Sequence, residues 1–350
     1  MHAGCTSSCC YAPLDDVWVW TAATTGRRAG DPLKGEWAKL PQASDAPSAR
    51  LYHTISPLVT FSGSSAPEGK GAAVLIGGSN SVAGFLSDAW LLRTTGLGGG
   101  NVAPQWTKIQ PTSGTLPPRG GHSATVVEST LSAGLPAVVV IGGRNLVDVL
   151  DDVWVLEASG DPADDPAGWK WSWRQVNATG GAFQGLVNHV AAGVPPAGSS
   201  SPSHITVVGG TSGLGEDSAD VLLLSLASAR WSAVAPTGDD VGKRHGSVAW
   251  AALTAGSDLT VFGGQAGVDG TDPYLGDLLA LTLHGANSSA PAVGVRRMQN
   301  STFSPTAERP NARVNAAGSA QGGGAWLFGG FSGYGGGLDD RLHNDLWLLE

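Results

Sequence analysis

Residues 138–157 read VVVIGGRNLVDVLDDVWVLE, and this stretch decides the fold. A run of β-branched residues ends on Gly142-Gly143, and a second apolar run starts nine residues later with Asp152-Val153-Trp154. β-Branched and aromatic residues favour strands, and glycines permit the tight backbone turn at a strand exit. The stretch therefore predicts two neighbouring strands joined by a loop.

The same pattern recurs along the whole chain, which makes it a structural repeat. An apolar run ends on a glycine pair five times, at Gly77-Gly78, Gly142-Gly143, Gly209-Gly210, Gly263-Gly264 and Gly329-Gly330. Each pair is followed by an Asp and a further apolar run, which carries Trp90, Trp154 or Trp347 in three copies. A sixth Asp-x-Trp copy, with Trp18, stands at the front without a glycine pair before it.

Two further sequence features recur at the same place in the repeat. A second tryptophan strand follows most Asp-x-Trp strands, with Trp37, Trp106, Trp171, Trp173 and Trp231. An Arg or His precedes each glycine pair, namely Arg50, His53, Arg119, His122, His189, Arg244, His245 and Arg313. No helical period appears between the landmarks. Each unit is therefore predicted to be four short antiparallel strands, which is one blade of a β-propeller.

The glycine pair, the spaced aromatic residues and the Arg/His start resemble the kelch repeat, from about Leu14 to Glu350. The resemblance implies an all-β, kelch-type propeller of four-stranded antiparallel blades, with 14–350 as a single domain. Residues 1–13 are predicted to be a disordered tail that contains Cys5, Cys9 and Cys10. We assign the repeated glycines and tryptophans to structure, and the Asp of Asp-x-Trp to capping backbone N–H groups.

The blade count has two solutions, because there are six Asp-x-Trp or Asp-x-Leu strands but five Gly-Gly strands. We favour six blades: five complete in their first three strands, and an N-terminal partial blade. The ring would then be incomplete in this chain, which we expect to be shorter than its natural gene product. The alternative is five blades, in which the Trp37 strand completes the last blade.

Composition excludes several classes of function. The net charge is -9 and charged residues are 14%, so no basic stripe is available for nucleic acid or an anionic membrane. No apolar run is long enough to span a membrane. The start lacks a signal-peptide pattern, which favours the cytoplasm, whereas three N-glycosylation sequons, at Asn177, Asn287 and Asn300, favour an extracellular location. The compartment stays open.

Enzyme activity is the least favoured interpretation. The repeated histidines occupy matching places in different blades, so we expect no shared metal site or cofactor. Copper-radical oxidases with kelch-like propellers need a Tyr–Cys crosslink, but all three cysteines lie in the tail. Iron-dependent plant specifier proteins, also kelch propellers, carry Glu, Asp and His four residues apart. Here Glu216 and Asp220 fit and Leu224 replaces the His.

The loops that follow the glycine pairs differ from copy to copy and are the predicted partner-binding region. They mix aromatic, polar and acidic residues, as interfaces do. The candidates are Asn80, Phe85, Arg144, Asn145, Glu216, Asp217, Gln265, Tyr274, Phe331 and Tyr334. We expect a non-enzymatic protein–protein interaction scaffold whose net negative charge suits a partner with basic patches, within a larger complex or longer polypeptide. The alternative is an extracellular glycosylated propeller that binds carbohydrate or a surface protein.

Overall fold

The computed structural model describes 14 segments of the chain. They are residues 13–22, 35–43, 45–58, 71–95, 102–161, 164–194, 202–251, 258–267, 274–285, 291–298, 310–321, 324–332, 341–343 and 345–349. Residues 1–12 with the three cysteines, Asn287, Asn300 and Tyr334 lie outside the described residues. Within the described part of the chain, no helix reaches the length and hydropathy of a membrane span.

The chain divides into two compact units. Unit 1 is built mainly from Trp37–Ala178, and unit 2 mainly from Thr179–Val194 and Ser203–Glu350. The tail over residues 1–13 and the single domain over residues 14–350 remain predictions.

Unit 1 contains blades 1 and 2. A separate two-stranded sheet of β1 (Trp18–Ala22) and β2 (Gly35–Lys39) comes earlier in the chain. Blade 1 has the strand order β3 (Thr54–Pro57), β4 (Gly71–Ile76), β7 (Ala89–Thr95) and β8 (Ala103–Lys108). Two short strands, β5 (Ser79–Asn80) and β6 (Gly84–Phe85), pair within the loop after β4.

Blade 2 is formed by β9 (Ser123–Glu128), β10 (Pro136–Ile141), β11 (Val153–Ser159) and β12 (Lys170–Val176). All three pairings are antiparallel, as predicted. A 3-10 turn, Pro166–Gly168, lies between β11 and β12. Every residue of β10 is buried.

Unit 2 contains the next three blades. Blade 3 is β13 (Val190–Val194), β14 (His204–Val208), β15 (Val221–Ser225) and β16 (Arg230–Val234). Blade 4 has five strands: β17 (Pro236–Gly238), β18 (Val248–Ala251), β19 (Leu259–Gln265), β20 (Tyr274–His284) and β21 (Ala292–Arg297). Among the described residues, blade 5 has β22 (Ala317–Gln321), β23 (Gly324–Phe328) and β26 (Leu346–Leu349), with β24 (Phe331–Ser332) pairing β25 (Arg341–Leu342).

The all-β prediction is confirmed, and the described residues form five blades of a propeller arrangement. The four predicted strand types occur in the predicted order in blades 1 to 3. Each glycine pair lies at the exit of the second strand with both residues at positive φ, for example Gly142 at 56° and Gly143 at 90°. The structural role assigned to these glycines follows, because other residues rarely adopt that backbone conformation.

Within each unit, a blade continues into a short segment that pairs with the outer strand of the next blade. In unit 1, Thr112 N–H donates to Trp171 O at 2.7 Å, and Trp173 N–H donates to Ser113 O at 2.8 Å. In unit 2, β17 pairs in parallel with β21, which explains the fifth strand of blade 4. A glycine lets each segment approach the neighbouring carbonyl closely, at Gly114 in unit 1 and Gly238 in unit 2.

Apolar side chains fill the space between blades of the same unit. In unit 1 the core combines Val74 and Leu91 of blade 1 with Val138 and Trp173 of blade 2. In unit 2 one cluster joins blades 3 and 4 and another joins blades 4 and 5. This packing holds the loop ends of the strands in fixed positions.

Candidate functional site

A buried arginine–aspartate pair anchors the loop end of four blades. In blade 2, Arg119 Nη1 and Nη2 donate to the two carboxylate oxygens of Asp152 at 2.6 and 2.8 Å. Arg119 Nη1 also donates to Gly142 O at 3.0 Å, and Trp154 Nε1 donates to Asp152 Oδ2 at 2.7 Å. The other pairs are Arg50–Asp88, Arg244–Asp277 and Arg313–Asp345.

These pairs give the aspartates a buried arginine partner in addition to the capping role that the sequence predicts. Burial alone would raise the pKa of the Asp152 carboxyl, but the Arg119 guanidinium and the Trp154 indole outweigh burial and hold that pKa below its usual value. The pKa values of Asp88 and Asp345 are lowered by the same balance. The stabilisation is therefore present above about pH 4 and is lost as the pH falls through the lowered pKa values.

Blade 3 lacks this pair. Leu186 occupies the position of the arginine, three residues before His189, and Asp220 is exposed. Phe183 is also buried, and its ring stacks on Trp231 with ring centroids 4.7 Å apart. A buried leucine therefore stands where the other four blades have the paired arginine, an exchange that buried pairs often tolerate.

The His189 imidazole makes stability depend on pH. Burial lowers its pKa to about 4, although the hydrogen bond of Nδ1 with Leu186 O opposes this shift. Because the unfolded imidazole binds a proton near pH 6.5, stability falls as the pH drops from about 6.5 to about 4, by about 3 kcal/mol in total.

We expect His189→Gln to remove this pH dependence, because the glutamine side chain does not titrate. Its side-chain amide can still donate to Leu186 O. Urea unfolding at pH 7 and at pH 4 measures the free energy of unfolding of the two proteins. If the original chain and His189→Gln lose the same free energy of unfolding between pH 7 and pH 4, His189 is not the source of the pH dependence.

The other repeated histidines also have structural partners, and the described residues contain no cluster of metal ligands. His122 Nε2 lies 2.9 Å from Thr54 Oγ1, and His245 Nδ1 lies 2.8 Å from Asp217 Oδ2. Glu216 and Asp220 are both exposed.

Exposed aliphatic side chains mark the tips of the loops that follow the second strands. Val82 is 94% exposed, Val147 84% and Leu214 88%. Each stands two residues after a polar residue whose side chain holds the turn. The Asn80 carbonyl accepts from Val82 N–H at 3.1 Å and the Asn145 carbonyl from Val147 N–H at 2.8 Å. In unit 2, Ser212 Oγ accepts from Leu214 N–H at 3.3 Å.

We use the name unit 1 loop patch for the apolar residues at this loop end of blades 1 and 2 in unit 1: Tyr52, Val82, Phe85, Leu146 and Val147. Leu146 is 80% exposed, and its Cδ1 lies 4.0 Å from the position that a Cβ on Gly84 would take. The Arg144 guanidinium carbon lies 6.0 Å from the Phe85 ring centroid. Exposed apolar residues that neighbouring loops bring together are typical of interaction sites.

The structure divides the predicted partner-binding residues into three groups. Phe85 and Arg144 lie at the unit 1 loop patch, and Asn80 and Asn145 hold its turns. In unit 2, Tyr274 and Phe331 meet edge to face at 5.9 Å, and Glu216 is exposed.

Asp217 and Gln265 have buried side chains. The Asp217 carboxylate accepts from Thr211 Oγ1 at 2.7 Å and from Gly267 N–H at 2.8 Å, in addition to its contact with His245. Burial alone would raise the pKa of the Asp217 carboxyl. The contact with His245 and the hydrogen bonds from Thr211 and Gly267 outweigh burial and hold that pKa below its ordinary value. Asp217 therefore ties together the loops of blades 3 and 4.

The sequence patterns do not single out Val82, Leu146, Val147 and Tyr52 as surface residues. An aliphatic residue two positions after Asn or Ser in these loops was the available signal, since Asn and Ser side chains commonly close such turns. Asn177, one of the three sequon asparagines, is exposed after β12.

Comparison with known proteins adds evidence on the fold. No family model matches the chain, and no curated protein matches it. The chain is similar to one in the cryo-EM structure of RAG in complex with one melted RSS and one unmelted RSS. The TM-score is 0.52 at 13% identity, over 83% of this chain and 86% of that chain. What they share is the fold. The β-propeller assignment therefore has support from a solved structure.

Proposed function

We propose that this protein is a non-enzymatic interaction scaffold that binds a protein partner through the loops after the second strands. The observation that carries the proposal is the set of exposed aliphatic tips, each fixed by a hydrogen-bonded turn. A rigid apolar surface loses little conformational entropy on binding, and its burial supplies the main favourable free energy.

We also infer that the blades are of the kelch type and that the sheet of β1 and β2 represents a sixth blade. Trp18 Nε1 donates to Asp16 at 2.8 Å, as the equivalent tryptophans do in blades 1, 2 and 5. Lys39 Nζ lies 3.4 Å from the same carboxylate. β1 and β2 would then be the third and fourth strands of that blade.

The partner surface in unit 1 is apolar, so the proposal does not depend on the net charge of the chain. The expected basic patches of a partner would instead contact the acidic tips of unit 2, where Glu216 and Asp220 are exposed. Exposed Asn177 keeps a glycosylated, extracellular form as the second candidate, and mass spectrometry of the native protein would detect that glycan.

Affinity purification from the native cells tests the proposal. We expect the triple variant Val82→Ser, Leu146→Ser and Val147→Ser to recover at least tenfold less of a partner that the original chain enriches, because the apolar contact is lost. Leu131→Ser is the matched control, since Leu131 is a 55% exposed leucine in the turn at the other end of β10.

The triple variant and the Leu131→Ser control should both keep the melting temperature of the original chain. Equal recovery by the triple variant and the control would contradict binding through these loops.

A further inference from the structure

Tyr52 has a backbone conformation that a tyrosine rarely adopts. Its φ is 56°, within the left-handed region, where a Cβ collides with the neighbouring backbone unless the residue is Gly or, less severely, Asn. A strained backbone at a bulky residue persists only where the structure or the function requires that residue.

The other blades show what the backbone itself requires. The equivalent residues are also left-handed, with φ between 55° and 67°, but they are Gly121, Asn188, Gly246 and Asn315. The backbone at this position links neighbouring blades of a unit. Gly121 N–H donates to Tyr52 O at 2.9 Å, and in unit 2 Gly246 N–H donates to Asn188 O at 2.8 Å. Gly or Asn performs this role in four blades, so a tyrosine side chain is not needed for it.

The Tyr52 side chain does not serve the core. It is 51% exposed, whereas the core residues around it in unit 1 are buried. Its Cβ lies beside Gly120, and so does the Phe85 ring: a Cβ on Gly120 would lie 3.2 Å from each. The Tyr52 Cβ and the edge of the Phe85 ring therefore both lie next to Gly120, which places Tyr52 with the residues of the unit 1 loop patch.

We propose that Tyr52 is the anchor residue of partner binding, kept at this position against its backbone strain, and that it packs against an uncharged apolar side chain of the partner. The inference rests on the proposed function, because it assigns the specificity of the same patch. Tyrosine gives a large contact area at low entropy cost and is a common hot-spot residue. The other residues of the patch are Phe85 and the exposed aliphatic residues Val82, Leu146 and Val147, so we expect an apolar contact.

The probe is a phage-displayed library of random 12-residue peptides, panned on the full chain. Peptides that fail to bind the Val82, Leu146 and Val147 triple variant are kept and measured against point variants. We expect Tyr52→Asn to weaken their binding at least tenfold without lowering the melting temperature. Tyr52→Phe should retain binding within threefold. Asn315→Gly, a change at the equivalent backbone position of blade 5, is the control and should leave binding unchanged.

Three results would overturn the inference while the proposed function stands. These are unchanged peptide binding by Tyr52→Asn, a melting temperature at least 3 °C lower in that variant, or a tenfold loss in Tyr52→Phe. The second would assign the ring to stability, and the third would assign the contact to the hydroxyl group. If panning yields no peptide that depends on the aliphatic tips, both the proposed function and this inference fail.

Discussion

Asp152→Ala should destabilise unit 1 by at least about 3 kcal/mol, because it leaves a buried guanidinium without its counter-charge. Arg119 has no exposed side-chain surface, and its remaining acceptors are the Gly142 and Pro117 carbonyls. Urea unfolding followed by tryptophan fluorescence measures the change. The exposed neighbour Asp151 provides the matched control, and Asp151→Ala should change the free energy of unfolding by less than about 0.5 kcal/mol.

The double variant Arg119→Leu and Asp152→Ala separates the unpaired charge from the lost contact. Blade 3 carries a leucine, Leu186, at the arginine position. We therefore expect the double variant to recover most of the stability that Asp152→Ala loses. A double variant that is less stable than Asp152→Ala would show that the pair contributes net attraction and would contradict this interpretation.

Gly114→Ala should have an effect of similar size, roughly 3 kcal/mol or more, because two costs combine. Gly114 has φ of 72°, and an added Cβ would overlap the Trp173 carbonyl of blade 2. The carbonyl belongs to β12 and cannot move without breaking the pairing of Trp173 with Leu156. Thermal and urea unfolding measure the loss.

Gly181→Ala is the control for backbone strain alone. Gly181 has φ of 65°, and no atom lies within 4 Å of an added Cβ. We expect Gly181→Ala to lower the free energy of unfolding by about 1–2 kcal/mol, because the left-handed conformation is unfavourable for a residue with a Cβ. If both substitutions cost the same, close packing of the blades at Gly114 makes no contribution.

Much of the fold could be predicted from the sequence because the repeat appears in residues with strong backbone preferences. The apolar run of β10, the glycine pair and Trp154 placed two strands and the loop between them. The parallel pairing of β17 with β21 could not be predicted in this way. It depends on how closely one blade approaches the next, and Thr237-Gly238 alone does not specify that distance.

The candidate site was harder to predict because exposure is a property of the folded loop. Asn80 and Asn145 were selected as polar contacts, but their side chains hold the turns that expose Val82 and Val147. The arginine–aspartate pairs join residues 32–38 positions apart, and a sequence does not show which distant charges meet. Their regular recurrence was the signal that could have been used.

Amide hydrogen exchange with and without the partner tests the central claim most directly. The claim is that the loops after the second strands of unit 1 bind the partner. We predict slower exchange at residues 80–85 and 144–149 in the complex, with no change in the 129–135 turn at the opposite end of β10. Slower exchange in that turn, with both loops unchanged, would contradict the claim.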